Sequence, residues 1–307
     1  MSRYDRQSCL PEIGAEGQAR LAAARVLVAG AGGLGSALLP LLAGAGVGRI
    51  TLYDPDVVEL HNLHRQTLYR MDDLGQPKAE TAARHLTALN PECQVLAKVA
   101  RLDPGMARTE IGDVDLVIDA ADSFAVSYAL SDRCRESDVP LVSASVLGRQ
   151  GYIGGFCGSS PSLRAVFPEP PMVAANCATA GVMGPTVATL GAMQAQMALS
   201  ILLRHRPSPL GQMLSVDFST WRVSQFRFDG AREPEEIFPA IIARGEVGNN
   251  DLLIDLRAED PGDPAQLSPD PGQRVVFLCA SGLRAWRAAK ILADKWHGRV
   301  AICAVGS

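Results

Sequence analysis

Four glycines, Gly30, Gly32, Gly33 and Gly35, follow a short apolar run at 26–29 and open an Ala/Leu-rich stretch at 36–45. At G-x-G-x-x-G spacing, glycines allow a tight turn and close approach of backbone to a phosphate, which free N–H groups at a helix start then receive. A second apolar run, 49–53, ends in Asp54, placed to accept hydrogen bonds from a ribose about 20 residues past the glycines. Asn62, Arg65 and Gln66 come soon after it. Arg65 carries a planar, permanently charged fork that suits phosphate oxygens. This cluster reads as a triphosphate clamp, whereas a reductase would need neither Arg65 nor Gln66. Lys78 adds a point charge at the start of another expected helix. Asp119 and Asp122 close a further apolar run, and carboxylates at a strand's C-terminal end face a ligand crevice.

These residues need a particular scaffold. Apolar runs at 26–29, 49–53, 94–100, 115–118, 140–145 and 151–156 predict strands. Ala/Leu-rich or amphipathic stretches at 36–45, 79–89, 124–134 and 186–203 predict helices between or after them. The alternation predicts an α/β fold, a Rossmann-like, mostly parallel sheet with helices on both faces. Residues 1–24 read as a helical lead-in, and 213–228 alternate as strands do.

Composition shifts after Phe228. Residues 229–246 read as a linker with a short amphipathic helix at 237–243, and 247–307 as a small second α/β domain. There a strand at 252–257 ends in Asp255-Leu256-Arg257. Another at 275–278 feeds Cys279-Ala280-Ser281-Gly282-Leu283-Arg284, ahead of a helix at 286–295. A cysteine in a loop wrapped onto a helix N-terminus is a thiolate site, because N–H groups and the helix dipole stabilise negative sulfur.

With 307 residues and 47% hydrophobic content, the chain has material for one large domain or two smaller ones. A net charge of -4 offers no basic footprint for nucleic acid. No run approaches the 18 or so uninterrupted apolar residues of a membrane span, and the start lacks an apolar signal core. Seven scattered cysteines without a CxxC pair argue against a disulfide framework and a four-thiolate zinc site. The expectation is a cytoplasmic protein with reduced thiols.

Together, GAGGLGS, the DPDxVExxNLxRQ run and Tyr4-Asp5-Arg6-Gln7 resemble the MoeB/ThiF/HesA family, over about residues 3 to 228. These relatives of ubiquitin-activating enzymes adenylate the C-terminal glycine of a small ubiquitin-like sulfur carrier. The resemblance implies ATP with Mg²⁺, and a carrier ending in Gly-Gly as partner. It implies phosphate contacts from Arg65, Gln66 and Lys78, with Asn62 in support, and ribose binding by Asp54. Arg6 would reach the phosphates, in some members from the neighbouring subunit of a homodimer. Asp122 matches the family's adenylation acid, acting through Mg²⁺; its other reading is a helix N-cap. Cys177, in the family's crossover loop, either links covalently to the carrier or simply packs at a helix start.

Three departures stand out. Ser123 replaces the Asn of the family's D-x-x-D-N-F. Ser162-Leu163-Arg164-Ala165 stands where relatives carry the first CxxC of a zinc site, and the second, after about residue 225, is missing too, so no zinc is expected. The Cys279 loop and the LLIDLR strand resemble rhodanese-like sulfurtransferases, which implies a persulfide on Cys279. Only about 20 residues separate Arg257 from Cys279, so the module is shortened, and a docking remnant is the other reading. For the whole chain, a nucleotide-binding scaffold for the carrier and an NAD-dependent oxidoreductase are the alternatives to an adenylyltransferase.

Overall fold

The computed structural model describes residues 2–170, 181–259 and 261–306. Helices α1 (Asp5–Ser8) and α2 (Gly14–Ala23) lead into β1 (Arg25–Ala29), α3 (Gly33–Ala45), β2 (Arg49–Tyr53), α4 (Lys78–Leu89) and β3 (Gln94–Lys98). Then come α5 (Pro104–Glu110), β4 (Leu116–Asp119), α6 (Phe124–Glu136), β5 (Pro140–Leu147), β6 (Gln150–Cys157) and α7 (Leu163–Val166). The long helix α8 (Gly184–Leu202) precedes β7 (Gln212–Asp217) and β8 (Arg222–Arg227). The remaining elements are β9 (Ala240–Ile241), β10 (Leu252–Asp255), β11 (Val275–Cys279), α9 (Leu283–Ala293) and β12 (Val300–Ala304).

The first sheet runs β3-β2-β1-β4-β5-β6-β7-β8, parallel through β5 and antiparallel beyond it. Chain order reverses between β1 and β4, which opens the ligand crevice of such sheets. Strand β1 is apolar on both faces because helices cover both. Val26 and Val28 pack with Leu38 and Leu42 of α3 and Leu190 of α8. Leu27 joins a different core with Tyr128 of α6, and with Val275, Phe277, Trp286 and Ile302 of the C-terminal region. The second sheet, β10-β11-β12-β9, is therefore packed onto α6 and shares a core with the first.

One expected helix does not form. The segment 237–243 is extended, and Ala240 and Ile241 pair in parallel with Ala301 and Ile302. Pro239 has no N–H and disfavours helical backbone before it, while the edge of β12 offers pairing partners. The stretch read as linker thus supplies a strand of the second sheet. Helix α9 starts at Leu283, three positions before the expected Trp286, which brings its first N–H groups to the Cys279 loop. Among the described residues, no helix is long and apolar enough to cross a membrane.

Candidate active site

At the end of β1, Gly30 adopts φ +101°, and a Cβ there would lie 2.5 Å from the carbonyl oxygen of Ala120. Only glycine fits both the dihedral and the approach of the β1 turn to β4. Gly33, the first residue of α3, leaves room for Val187 of α8; a Cβ would meet its Cγ1 at 2.6 Å. Tyr69 pins the turn from below, its hydroxyl donating to the Ala31 carbonyl at 2.7 Å.

Asp54 directly follows β2 and is 5% exposed. Its carboxylate accepts from the Ala31 N–H at 2.7 Å and the Asp56 N–H at 2.9 Å. Burial pushes this carboxyl up, and those N–H donors and the Lys78 ammonium draw it back toward ionisation. Both oxygens retain lone pairs for further donors, such as ribose hydroxyls. Lys78 is buried at the start of α4, and its Nζ rests 3.1 Å from Asp56 Oδ2. Asp56 is thus a partner that sequence reasoning missed, although the Asp54-Pro55-Asp56 spelling held the signal.

The clamp residues occupy a one-turn helix and the turn after it. Asn62 Oδ1 accepts from the Glu59 N–H at 3.2 Å, and the Asn62 carbonyl accepts from the N–H groups of both Arg65 and Gln66 at 3.0 Å. Its role here is to shape the turn. Gln66 is 3% exposed and lies beside Gly32; its Oε1 has no hydrogen-bond partner among the described residues. An orphaned buried acceptor beside the glycine turn fits a ligand bearing donors. Arg65 is folded back, donating to the His61 carbonyl at 2.9 Å and lying 2.9 Å from His64 Nε2. Gly184, at the start of α8, packs tightly on the His64 carbonyl, so α8 buttresses the turn.

Asp119 is 1% exposed at the end of β4. Its carboxylate accepts from the Ser143 hydroxyl at 2.8 Å and the Ala121 N–H at 3.2 Å, while burial raises its pKa to about 6. The exposed Asp122 lies just before the N-terminus of α6, whose N-cap residue is Ser123.

Arg6 is not at this crevice. Its neighbours lie at the opposite end of α3: Gln7 of α1 donates to the Ala45 carbonyl at 2.9 Å, and Tyr4, just before α1, accepts at 2.8 Å from Asn90, which also donates to the Ala43 carbonyl at 2.6 Å. Helix α3 has 13 residues, about 20 Å of rise, so Arg6 cannot reach the phosphate turn of its own chain. Cys177 lies outside the described residues.

A second cluster surrounds Cys279, which ends β11. Its Sγ accepts from the Gly282 N–H at 3.1 Å and the Ala285 N–H at 3.4 Å. Arg257 and Arg284 line a cavity of about 360 Å³ with Cys279, Ala280 and Ser281. Arg257 is held by Asp255 at 2.8 Å, and that arginine pulls the Asp255 carboxyl down to about 2. Two guanidinium groups and two backbone donors around one sulfur make a site for negative charge.

The ThiF family profile matches residues 4–236. The chain is 39% identical over 219 residues to the SAMP-activating enzyme E1 of Haloferax volcanii, across 71% of this chain and 81% of that one. It is 40% identical over 225 residues to the sulfur carrier protein adenylyltransferase of Thermus thermophilus, across 71% and 83%. The adenylyltransferase and sulfurtransferase MOCS3 of Drosophila sechellia is 36% identical over 270 residues, covering 87% of this chain, a span too long to stop at residue 236. The chain spans 60% of that longer relative. Among solved structures, E. coli MccB with MccA-N7isoASN shares the fold at a TM-score of 0.67 and 22% identity, across 76% of this chain and 74% of that one.

Proposed function

The chain belongs to the ThiF family, and on that footing we propose that it adenylates the C-terminal glycine of a ubiquitin-like sulfur-carrier protein with ATP. The observation that carries the reading is the crevice at the ends of β1, β2 and β4. There a glycine turn, an acid with spare lone pairs, a buried lysine and an orphaned amide oxygen face one another.

In this reading Asp54 holds the ribose, the Gly30–Gly35 turn and the α3 N-terminus receive phosphate, and Lys78 leaves Asp56 for the triphosphate. Arg65 swings out from His61 and His64, and Gln66 accepts from the ligand. Asp122 has exposed carboxylate oxygens for Mg²⁺, which supplies neutralisation of phosphate charge when bound. The carrier's carboxylate oxygen bonds to the α-phosphorus, the bond from that phosphorus to the bridging oxygen breaks, and pyrophosphate leaves. The protein contributes positioning and charge neutralisation. Arg6 acts on the neighbouring copy of a homodimer.

The Cys279 site supplies sulfur. A sulfane-sulfur donor loads Cys279 as a persulfide, whose terminal sulfur attacks the acyl carbon. A C–S bond forms, the C–O bond to AMP breaks, and AMP leaves with the electron pair. An external thiol then reduces the acyl disulfide, freeing the thiocarboxylate and forming a mixed disulfide with Cys279. Relatives named as both adenylyltransferase and sulfurtransferase support this second half.

The test is ATP–pyrophosphate exchange with Mg²⁺ and carriers ending in Gly-Gly. Exchange should require a carrier, fall at least about 100-fold in Asp122→Ala, a loss in the range seen when transition-state charge stabilisation is removed, and persist in Cys279→Ala. Absence of exchange with every carrier, together with NAD binding, would overturn the reading.

A further inference from the structure

The loop that carries Cys279 is bonded to the first turn of α6. The Ser281 carbonyl accepts from the Ala125 N–H at 3.1 Å and from the Ser123 hydroxyl at 3.2 Å. Ala125 is the second residue of α6, so this N–H is one of the helix's orphan donors, satisfied here by the thiol loop. Ser123 is 2% exposed at the N-cap position, yet its side chain does not cap its own helix; it reaches across to the other sheet's loop. Gly282 adopts φ +91° and lies so close that a Cβ would sit 2.6 Å from that of Ala125. Gly282 also donates to Cys279 Sγ, and Asp122 directly precedes Ser123. The thiol loop and the adenylation acid are therefore joined through two hydrogen bonds and one tight backbone contact.

We propose that Ser123 is a positioning residue that fixes the Cys279 loop on the N-terminus of α6, so that sulfur passes to the adenylated carrier within one chain. The proposal rests on the function given above and adds how its two halves are joined. The Ser123 hydroxyl, one carbon from its backbone, reaches the Ser281 carbonyl at 3.2 Å. The two sheets also share the core beneath, where Tyr128 of α6 and Trp286 of α9 lie 4.9 Å apart between ring centroids. The carrier's flexible tail makes the movement.

The experiment uses the full chain, ATP with Mg²⁺, a Gly-Gly carrier, thiosulfate as sulfur donor and, added only at the transfer step, dithiothreitol as the thiol that opens the acyl disulfide, with three readouts. These are ATP–pyrophosphate exchange, persulfide on Cys279 by intact mass, and single-turnover thiocarboxylate formation on the carrier. In Ser123→Ala, exchange and persulfide loading should stay within about twofold while transfer falls about tenfold, the scale of one hydrogen bond's worth of positioning. Ser123→Thr, which keeps the hydroxyl, should recover most of the transfer. A mixture of Asp122→Ala and Cys279→Ala chains should form almost no thiocarboxylate, because no chain holds both groups. Unchanged transfer in Ser123→Ala, or restored transfer in the mixture, overturns the proposal. Parallel loss of all three readouts in Ser123→Ala, unrelieved by Ser123→Thr, also overturns it by showing a role in folding alone. Failure of the underlying reading looks different: wild type itself would show no exchange or no persulfide.

Discussion

The carboxyl of Asp119 is enclosed between β4 and β5, with Ser143 and Ala121 as donors and the Gln194 amide on its own backbone carbonyl at 2.7 Å. Burial holds its pKa at about 6, above the ordinary carboxylate value. For an acid raised on folding, the stabilising contribution is complete below about pH 4 and is lost as pH rises through about 6. Two units correspond to roughly 3 kcal/mol. Asp119→Asn should therefore flatten part of the pH dependence. Denaturant midpoints should show wild type losing stability relative to the variant between pH 4 and 7; parallel curves would contradict the assignment. At this scale the sequence was informative where spacing encodes backbone need. The turn at Gly30 and the placing of Asp54 beside it were legible because a glycine turn after one strand and an acid after the next have fixed spacing in a parallel βαβ unit. The Asp56 partner of Lys78 and the Ser123–Ser281 contact were not, since each depends on which loop a side chain meets across space.

Elements in this fold are tied by buried polar groups where the second sheet meets the first. Arg164 of α7 is 3% exposed and grips Asp132 of α6 through two hydrogen bonds, at 2.6 and 2.9 Å. It also donates to the Phe238 carbonyl at 3.2 Å, and its guanidinium lies 5.2 Å from the Tyr128 ring centroid and 5.0 Å from that of Trp286. One side chain thus joins α6, α7, α9 and the segment before β9. Burial pushes the Asp132 carboxyl up, so it depends on this partner to stay ionised. Arg164→Met should cost about 3–5 kcal/mol, because it strands a buried acid. Arg164→Met combined with Asp132→Leu should recover much of that loss. Chemical denaturation of the two variants checks both, and equal loss in the pair would show that packing rather than charge matters. Nearby, Glu233 accepts from the Ser162 N–H at 2.7 Å and its hydroxyl at 2.6 Å, clasping the 162–165 segment to the chain beyond residue 225. Those are the two regions where the family pattern puts paired cysteines. The run 237–243 looked helical because its apolar spacing was amphipathic. Tertiary pairing with β12, and Pro239, decided otherwise.

Seen whole, the molecule places these residues toward the two ends of the first sheet. The candidate crevice lies at the C-terminal end of its parallel strands, where the Cys279 loop of the second sheet docks on the start of α6, whereas α1, with Arg6, is fastened toward the other end by Tyr4, Gln7 and Asn90. The mostly parallel character of the first sheet followed from alternating apolar and Ala/Leu-rich runs, whereas its strand order came only with the structure. Nor did the seating of the second sheet on α6 follow from those runs, because Tyr128 and Trp286 read equally well as core residues of separate units. If Arg6 serves phosphates, it must serve those of another copy, and closed two-fold assembly gives each copy the other's arginine. Arg6→Ala and Asp122→Ala chains should each be nearly inactive in carrier-dependent exchange. When they are mixed and allowed to re-equilibrate, a mixed dimer contains one site with an intact Asp122 and the partner's intact Arg6. Random pairing then restores about a quarter of wild-type exchange, since half the dimers are mixed and each has one working site. Activity that stays near zero on mixing, while light scattering shows subunit exchange, would place Arg6 outside the reaction. Substantial activity in Arg6→Ala alone would do so as well, and would leave the phosphate charge to Arg65 and Lys78 of the same chain.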